Sequence, residues 1–357
     1  MLHHPYYDPL KSYDENFENG PFGAFADSNV YEEKDTPRYD FLGYKVNLPF
    51  GIPAGPVINS KFVKSAFEKG FDLVVYKTVR SDVFPCHQYP NVLPVQIEGD
   101  LTFEKVKDPL TIKTEFSEPL SITNSFGVPS KAVSFWQDDV KKAISYEREG
   151  QVLIASFMGT VKPEQTQNEF IQDYALAAKF SKETGAKILE TNLSCPNIGN
   201  EGLVCYNLDV TKKILEAIRK EIGDTPLIIK IGYFADLNSL EELATIANEY
   251  ADAISAINTI QATIVDEKGT QALPGNNRLK SGVCGAGIKW AGIDMVQKLK
   301  LIKEKKNHSY KIIGVGGVMK LEHYFEYIEA GADAVMSATG SMWNPYLAQE
   351  IKNLSKK

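Results

Sequence analysis

Cysteine is scarce and unpatterned in this 357-residue chain: Cys86, Cys195, Cys205 and Cys284 include no C-x-x-C pair. This excludes a disulfide framework, offers no spacing for a zinc or iron–sulfur centre, and suits a reducing, cytoplasmic compartment. Long apolar runs are missing too. None approaches the roughly 18 residues that span a bilayer, and the opening Met-Leu-His-His-Pro-Tyr-Tyr-Asp-Pro lacks the basic start and apolar stretch of a signal peptide, so no membrane partner is expected. Positive charge is not in excess. A formal net charge of −7 argues against a broad nucleic-acid-binding face. H-E-x-x-H and G-x-S-x-G are absent, which removes two common hydrolytic signatures. What remains, 43% apolar and 24% charged residues, is the composition of a globular protein with a large core.

Residues 1–45 are polar and acidic, without a sustained period, yet carry aromatics at Tyr6, Tyr7, Tyr13, Phe17, Phe22 and Phe25. So many aromatics do not suit a disordered tail, and an N-terminal extension docked on the main domain or on a partner subunit is expected. From residue 46 to 357 one catalytic domain is expected. Short β-type runs recur at Pro49–Ala54, Asp72–Thr78, Gln151–Phe157, Lys187–Asn192, Pro226–Ile231, Asp252–Asn258, Lys311–Val315 and Asp333–Ala338. Helical patterns separate most of them, for example Ser60–Lys69, Gln165–Glu183, Thr211–Glu221, Ser239–Tyr250, Ile288–Lys305 and Leu321–Ala330. Eight such units predict an α/β fold of the (β/α)8 TIM-barrel type ahead of an open doubly wound sheet. After the second run, Leu93–Ile97, Leu101–Val106 and Leu120–Thr123 predict an inserted antiparallel ribbon before a helix near 131–149. Thr259–Cys284 reads as a second long, Gly-rich loop.

In a barrel the strand ends share one face, which here gathers Ala54-Gly55, Lys77-Thr78, Ser156, Asn192, Lys230, Asn258-Thr259, Gly316-Gly317 and Thr339. Lysine is rarely buried without a partner, so two lysines at strand ends predict an anionic ligand. Gly314-Val315-Gly316-Gly317 after the seventh run, the helix start after Ala338-Thr339, and Ser281-Gly282-Val283-Cys284-Gly285 closing the preceding loop place a phosphate at that side of the face. The fourth run, Lys187-Ile188-Leu189-Glu190-Thr191-Asn192, passes into Leu193-Ser194-Cys195-Pro196-Asn197. Two carboxamides flanking a thiol can hold a flat, nitrogen-containing substrate and take up a proton. None of the five histidines falls at a strand end, which leaves Cys195 as the leading catalytic candidate. Cys86, Cys205 and Cys284 read as small buried hydrophobes.

With those residues in place the chain resembles the flavin-dependent dihydroorotate dehydrogenases, most closely their class 1 members, over about residues 45–345. Asn192-Leu193-Ser194-Cys195-Pro196-Asn197 matches that class's active-site motif, with cysteine where class 2 enzymes have serine. The resemblance implies FMN as cofactor, held by Ala54, Gly55, Lys77, Thr78, Asn124, Ser156, Asn192, Lys230, Gly285, Gly316, Gly317, Ala338 and Thr339. It implies dihydroorotate as substrate, bound by Lys77, Asn124, Phe126, Gly127, Val128, Asn192, Asn197, Asn258 and Thr259, with Cys195 as general base. Ser156 stands where many relatives carry asparagine, Cys284 where they carry serine, and Ala338 where they carry glycine. Electrons are expected to leave to a small soluble acceptor such as fumarate or to a separate electron-transfer subunit, and a homodimer is expected. Three other readings stay open: a uracil-type dihydropyrimidine dehydrogenase, a tRNA dihydrouridine synthase, which the acidic balance disfavours, and a flavin- or phosphate-binding barrel without activity.

Overall fold

The computed structural model describes residues 2–194 and 203–355. Eight parallel strands close in chain order: Phe50–Ile52, Leu73–Val79, Val152–Phe157, Ile188–Asn192, Leu227–Ile231, Ala253–Ala256, Lys311–Val315 and Ala334–Met336. Closure is made by Val335 opposite Phe50. Each strand lies at one of the eight expected runs, because those runs are rich in β-branched and apolar residues that suit a sheet buried on both faces. Helices fill the connections, with boundaries set by local chemistry. Asn59 caps Ser60–Glu68 through Lys61 and Phe62 N–H, and Thr166 with Glu169 forms a capping box on Gln167–Lys182.

Alternation along the strands builds the lumen. Leu73, Val75, Ile188, Ile228, Ala253 and Ile313 pack with Phe41 and Val46 in one apolar cluster. The latter two come from the hairpin Tyr39–Phe41 and Tyr44–Val46, which closes the end where the strands begin. Two residues further along the same strands stand Lys77, Glu190, Lys230 and Ser255. Apolar layers thus support a polar layer at the C-terminal end, the end where barrels carry their sites.

The two long excursions join. Val92–Pro94 and Ser121–Asn124 pair antiparallel, as expected for a ribbon, but 259–284 is no irregular loop: Ile260–Val265 and Lys280–Gly285 form a hairpin whose second strand pairs with Ser121–Asn124. With Leu110–Thr111 these make a five-stranded sheet over the barrel mouth. The expected ribbon segment at 101–106 forms no strand. Leu101 N–H instead bonds the Gly287 carbonyl (2.7 Å), followed by a 3-10 turn at Lys105–Lys107.

The N-terminal residues lie against the barrel, with Tyr6, Tyr7, Tyr13 and Phe25 buried in the main core. Lys69, also buried, binds the Asp27 carboxylate and the Asn29 carbonyl, fastening this segment to the first helix of the barrel. Among the described residues no helix is long and apolar enough to cross a membrane.

Candidate active site

The cleft over the C-terminal end of the barrel encloses about 1070 Å³ when the open space at its mouth is counted. The second strand enters it twice. A register shift between Tyr76 and Val79 breaks the alternation, so both Lys77 and Thr78 reach the wall. Asn192 and Lys230 stand side by side in register on the fourth and fifth strands, and Asn258 and Thr259 follow the sixth. Ala54 and Gly55 line the wall after the first strand, Ala338 and Thr339 after the eighth.

Asn192 is held by its neighbours: its Oδ1 accepts from Ser194 N–H (3.0 Å) and Oγ (3.1 Å). Asn258 Nδ2 donates to the Ser194 carbonyl (2.9 Å). The root of the segment leading to Cys195 is therefore tied to two strands. Cys195 and Asn197 themselves lie outside the described residues.

The roof is the segment 124–128, of which Asn124, Phe126, Gly127 and Val128 line the cleft. Gly127 (φ 74°) and Val128 (φ 53°) are both left-handed, an uncommon state for a β-branched residue that surrounding bonds must hold. Arg80 supplies them: Nε and Nη2 bond the Val128 and Gly127 carbonyls (2.9 and 3.1 Å), and Nη1 anchors on Gly159 and Thr160. Arg278 braces the other side through the Ser125 carbonyl and hydroxyl. These two arginines were not singled out from sequence, since their role is to bond distant carbonyls.

Ser156, Gly285, Gly316 and Gly317 lie behind the wall. Ser156 Oγ is 3.0 Å from Thr78 Oγ1 and donates to Glu190 Oε1 (3.1 Å). A Cβ on Gly317 (φ 63°) would come within 2.6 Å of Lys289 backbone and side chain, so only glycine passes there. Tyr327 Oη and Ser337 Oγ bond the Gly316 and Val318 carbonyls (both 2.6 Å), and His323 Nδ1 accepts from Met319 N–H (3.1 Å). Cys284, read from sequence as inert, is on the wall, with Asn124 Nδ2 (3.5 Å) and Thr339 Oγ1 (3.3 Å) donating to its sulfur. Burial raises its thiol pKa. Tyr7, from the N-terminal segment, also reaches the cleft.

Burial lowers the Lys230 ammonium pKa, against the opposing pull of Glu190. Glu190 is raised by burial and lowered by Lys230 and by the Ser156 hydrogen bond. The signal for Glu190 was present in the sequence as an acid inside an otherwise apolar run.

Two buried cations, several carboxamides and a glycine turn beside a short helix suit a planar, amide-bearing ring system with a phosphate tail, the donor set a flavin requires. Fold and site together define a (β/α)8-barrel oxidoreductase. The family model for dihydroorotate dehydrogenase matches residues 109–356. A dihydroorotate dehydrogenase of Dictyostelium discoideum is 39% identical over 99% of this chain and 98% of its own. The catalytic subunit of dihydroorotate dehydrogenase B (NAD(+)) of Oceanobacillus iheyensis is 28% identical over 72% of this chain and 79% of its own, and that of Malacoplasma penetrans is 31% identical over 51% and 57%. The chain belongs to the dihydroorotate dehydrogenase family, whose members are flavoproteins.

Proposed function

We propose that this protein oxidises (S)-dihydroorotate to orotate in pyrimidine biosynthesis, with FMN as its flavin and Cys195 as its base. The observation that carries the reading is the convergence of Lys77, Asn124, Asn192, Lys230 and Asn258 on one cleft. Oxidation removes a proton from C5 of the substrate and a hydride from C6. A bound flavin supplies the hydride acceptor.

The chain's own groups do the rest. Lys77 balances the substrate carboxylate, while Asn124, Asn192, Asn197, Asn258 and Thr259 pair with the donors and acceptors of the ring amides. The roof amides of Phe126, Gly127 and Val128 complete the cradle and keep water out. Cys195 takes the C5 proton; a thiol of ordinary pKa near 8.5 is mostly protonated at neutral pH, so nearby cations assist it. Lys230 offsets negative charge that develops on the opposite side. Ala54, Gly55, Thr78 and Asn192, with Ser156 behind Thr78, seat the cofactor ring, and Gly285, Gly316, Gly317, Ala338 and Thr339 form the phosphate end.

The acceptor that withdraws the electrons is a small soluble oxidant of the fumarate type, entering the same cleft, in a cytoplasmic homodimer whose residues 1–45 form an extension to the catalytic domain 46–357. Anaerobic mixing with dihydroorotate tests the substrate: the flavin absorbance bleaches, whereas bleaching with dihydrouracil alone would assign a different dihydropyrimidine. Chromatography of the released flavin checks FMN against FAD. Adding fumarate, NAD⁺ and a soluble quinone in turn to the reduced protein identifies the acceptor; reoxidation by NAD⁺ only with a second protein present would replace the fumarate reading by an electron-transfer subunit.

A further inference from the structure

Beneath the cleft lies an acid that the proposed mechanism does not use. Glu190 sits in the lumen of the barrel, one inward step below Asn192 on the fourth strand, and is completely buried. Its Oε1 accepts from Ser156 Oγ at 3.1 Å, and Ser156 Oγ lies 3.0 Å from Thr78 Oγ1. Thr78 is on the cleft wall. Two hydroxyls therefore connect the cleft to the acid without a break. Lys230 adds a second link, since it lines the same cleft and acts on Glu190 as the opposing charge. The second oxygen, Oε2, has no hydrogen-bond partner among the described residues, and such an oxygen costs less on a neutral carboxyl than on a carboxylate. Ile188 and Ile228 lie below in the apolar lumen, so charge changes in the cleft reach the acid with little screening. Facing Glu190 are Ser156 from the third strand and Lys230 from the fifth, with Thr78 from the second one hydroxyl further away.

We propose that Glu190 is a proton-exchange site tied to the redox state of the cleft: it takes up one proton when the flavin is reduced and releases it on reoxidation. This rests on the reading of the cleft as a flavin site. The balance closes. In turnover the C6–H bond breaks and its electron pair leaves with the hydride, while the C5 proton passes through Cys195 to solvent, so the reduced cleft is left with one more negative charge. A solvent proton then passes by way of Thr78 and Ser156 and forms an O–H bond on Glu190, where no electrons move. With its carboxylate partner neutralised, Lys230 turns its full charge toward the reduced cofactor. When the acceptor withdraws the electrons the proton returns to solvent.

The experiment is spectroelectrochemical titration of the flavin-loaded protein across neutral pH, with Glu190→Gln and Glu190→Asp beside the wild type. The wild-type midpoint potential should fall with pH by the slope of one more proton per two electrons than the Gln variant, and Asp should restore the steeper slope. Reduced-minus-oxidised infrared spectra of the wild type should gain a protonated-carboxyl band that Gln lacks. Equal slopes, or a wild type without that band, would overturn the proposal, and the band decides even where a variant fails to fold. Electrons come here from the electrode, so an error in the proposed substrate would leave this result intact and be seen separately.

Discussion

At the scale of single residues, the motif around Asn192 and the lysines at the strand ends were legible because chemistry that is costly to bury stands out inside apolar runs. Cys284 was not legible. A lone cysteine between glycines carries no pattern, and only the pairing of two distant strands brings it to Asn124 and Thr339. For Cys195 the proposed base role predicts that Cys195→Ala retains its flavin but loses reduction by dihydroorotate by about 10²–10⁴-fold, the usual contribution of a positioned base. Cys195→Ser should keep a trace that grows with pH. Stopped-flow absorbance measures both, and near-normal reduction in the Ala variant would move the base elsewhere. His323 gives a pH prediction. Burial first, and the nearby Lys289 second, hold its imidazole below the ordinary histidine range. Its Nδ1 lies 3.1 Å from the Met319 nitrogen and 3.0 Å from the Gly317 carbonyl, so the neutral ring can accept the Met319 N–H and a protonated ring gives that bond up for one to Gly317. A depressed histidine pKa favours the fold fully above its unfolded value near 6.5, and that support is lost as pH falls below it. Flavin retention should therefore weaken in acid, while His323→Leu binds flavin more weakly at neutral pH and shows a flatter decline. Flavin fluorescence against pH reads this; superimposable curves would clear His323 of the role.

At the scale of elements, all eight barrel strands were readable, since each is a short apolar run bounded by turn formers and most are followed by a helical period. The second sheet was readable only in part. Lys280-Ser281-Gly282-Val283-Cys284-Gly285 has the composition of a loop and becomes a strand because Ser121–Asn124 offers it an edge. At Gly282 an added Cβ would meet Thr259 Oγ1 at 2.4 Å, so the glycine that hides the strand from sequence reading also lets the hairpin close. The roof 124–128 depends on Arg80 in the same nonlocal way. Arg80→Lys keeps the charge but cannot reproduce a fork that holds two carbonyls while anchored on Gly159 and Thr160. Losing about two charge-assisted bonds of roughly 1.5 kcal/mol each should raise KM for dihydroorotate by at least tenfold. The flavin spectrum should be unchanged. A variant with wild-type KM would show that the roof keeps its shape without the fork.

At the scale of the whole molecule, the last helix, Leu347–Ser355, holds the barrel shut from below. Its Lys352 reaches Asp72 Oδ2 at 2.7 Å and Glu33 at 2.9 Å, and Asp72, at the foot of the second strand, also accepts the Leu48 N–H (2.9 Å). Chain ends and barrel start thus meet at one buried carboxylate. Burial raises its pKa to about 6, with Lys352 the largest opposing influence. Folded Asp72 therefore holds its proton at pH values where the unfolded chain, with a pKa near 3.9, has released it, so its contribution to stability falls as pH rises from about 4 to 6. Lys352→Met should expose that cost. Above pH 6 the variant must bury an uncompensated carboxylate, a loss of about 3–5 kcal/mol, which at this chain length lowers Tm by roughly 4–7 °C. Near pH 5 the carboxyl is neutral and the gap between variant and wild type should narrow. Differential scanning fluorimetry at the two pH values decides it: a Tm deficit that stays constant between them would mean that Lys352 acts through packing, and the charge pair would not be what joins the C-terminal helix to the barrel.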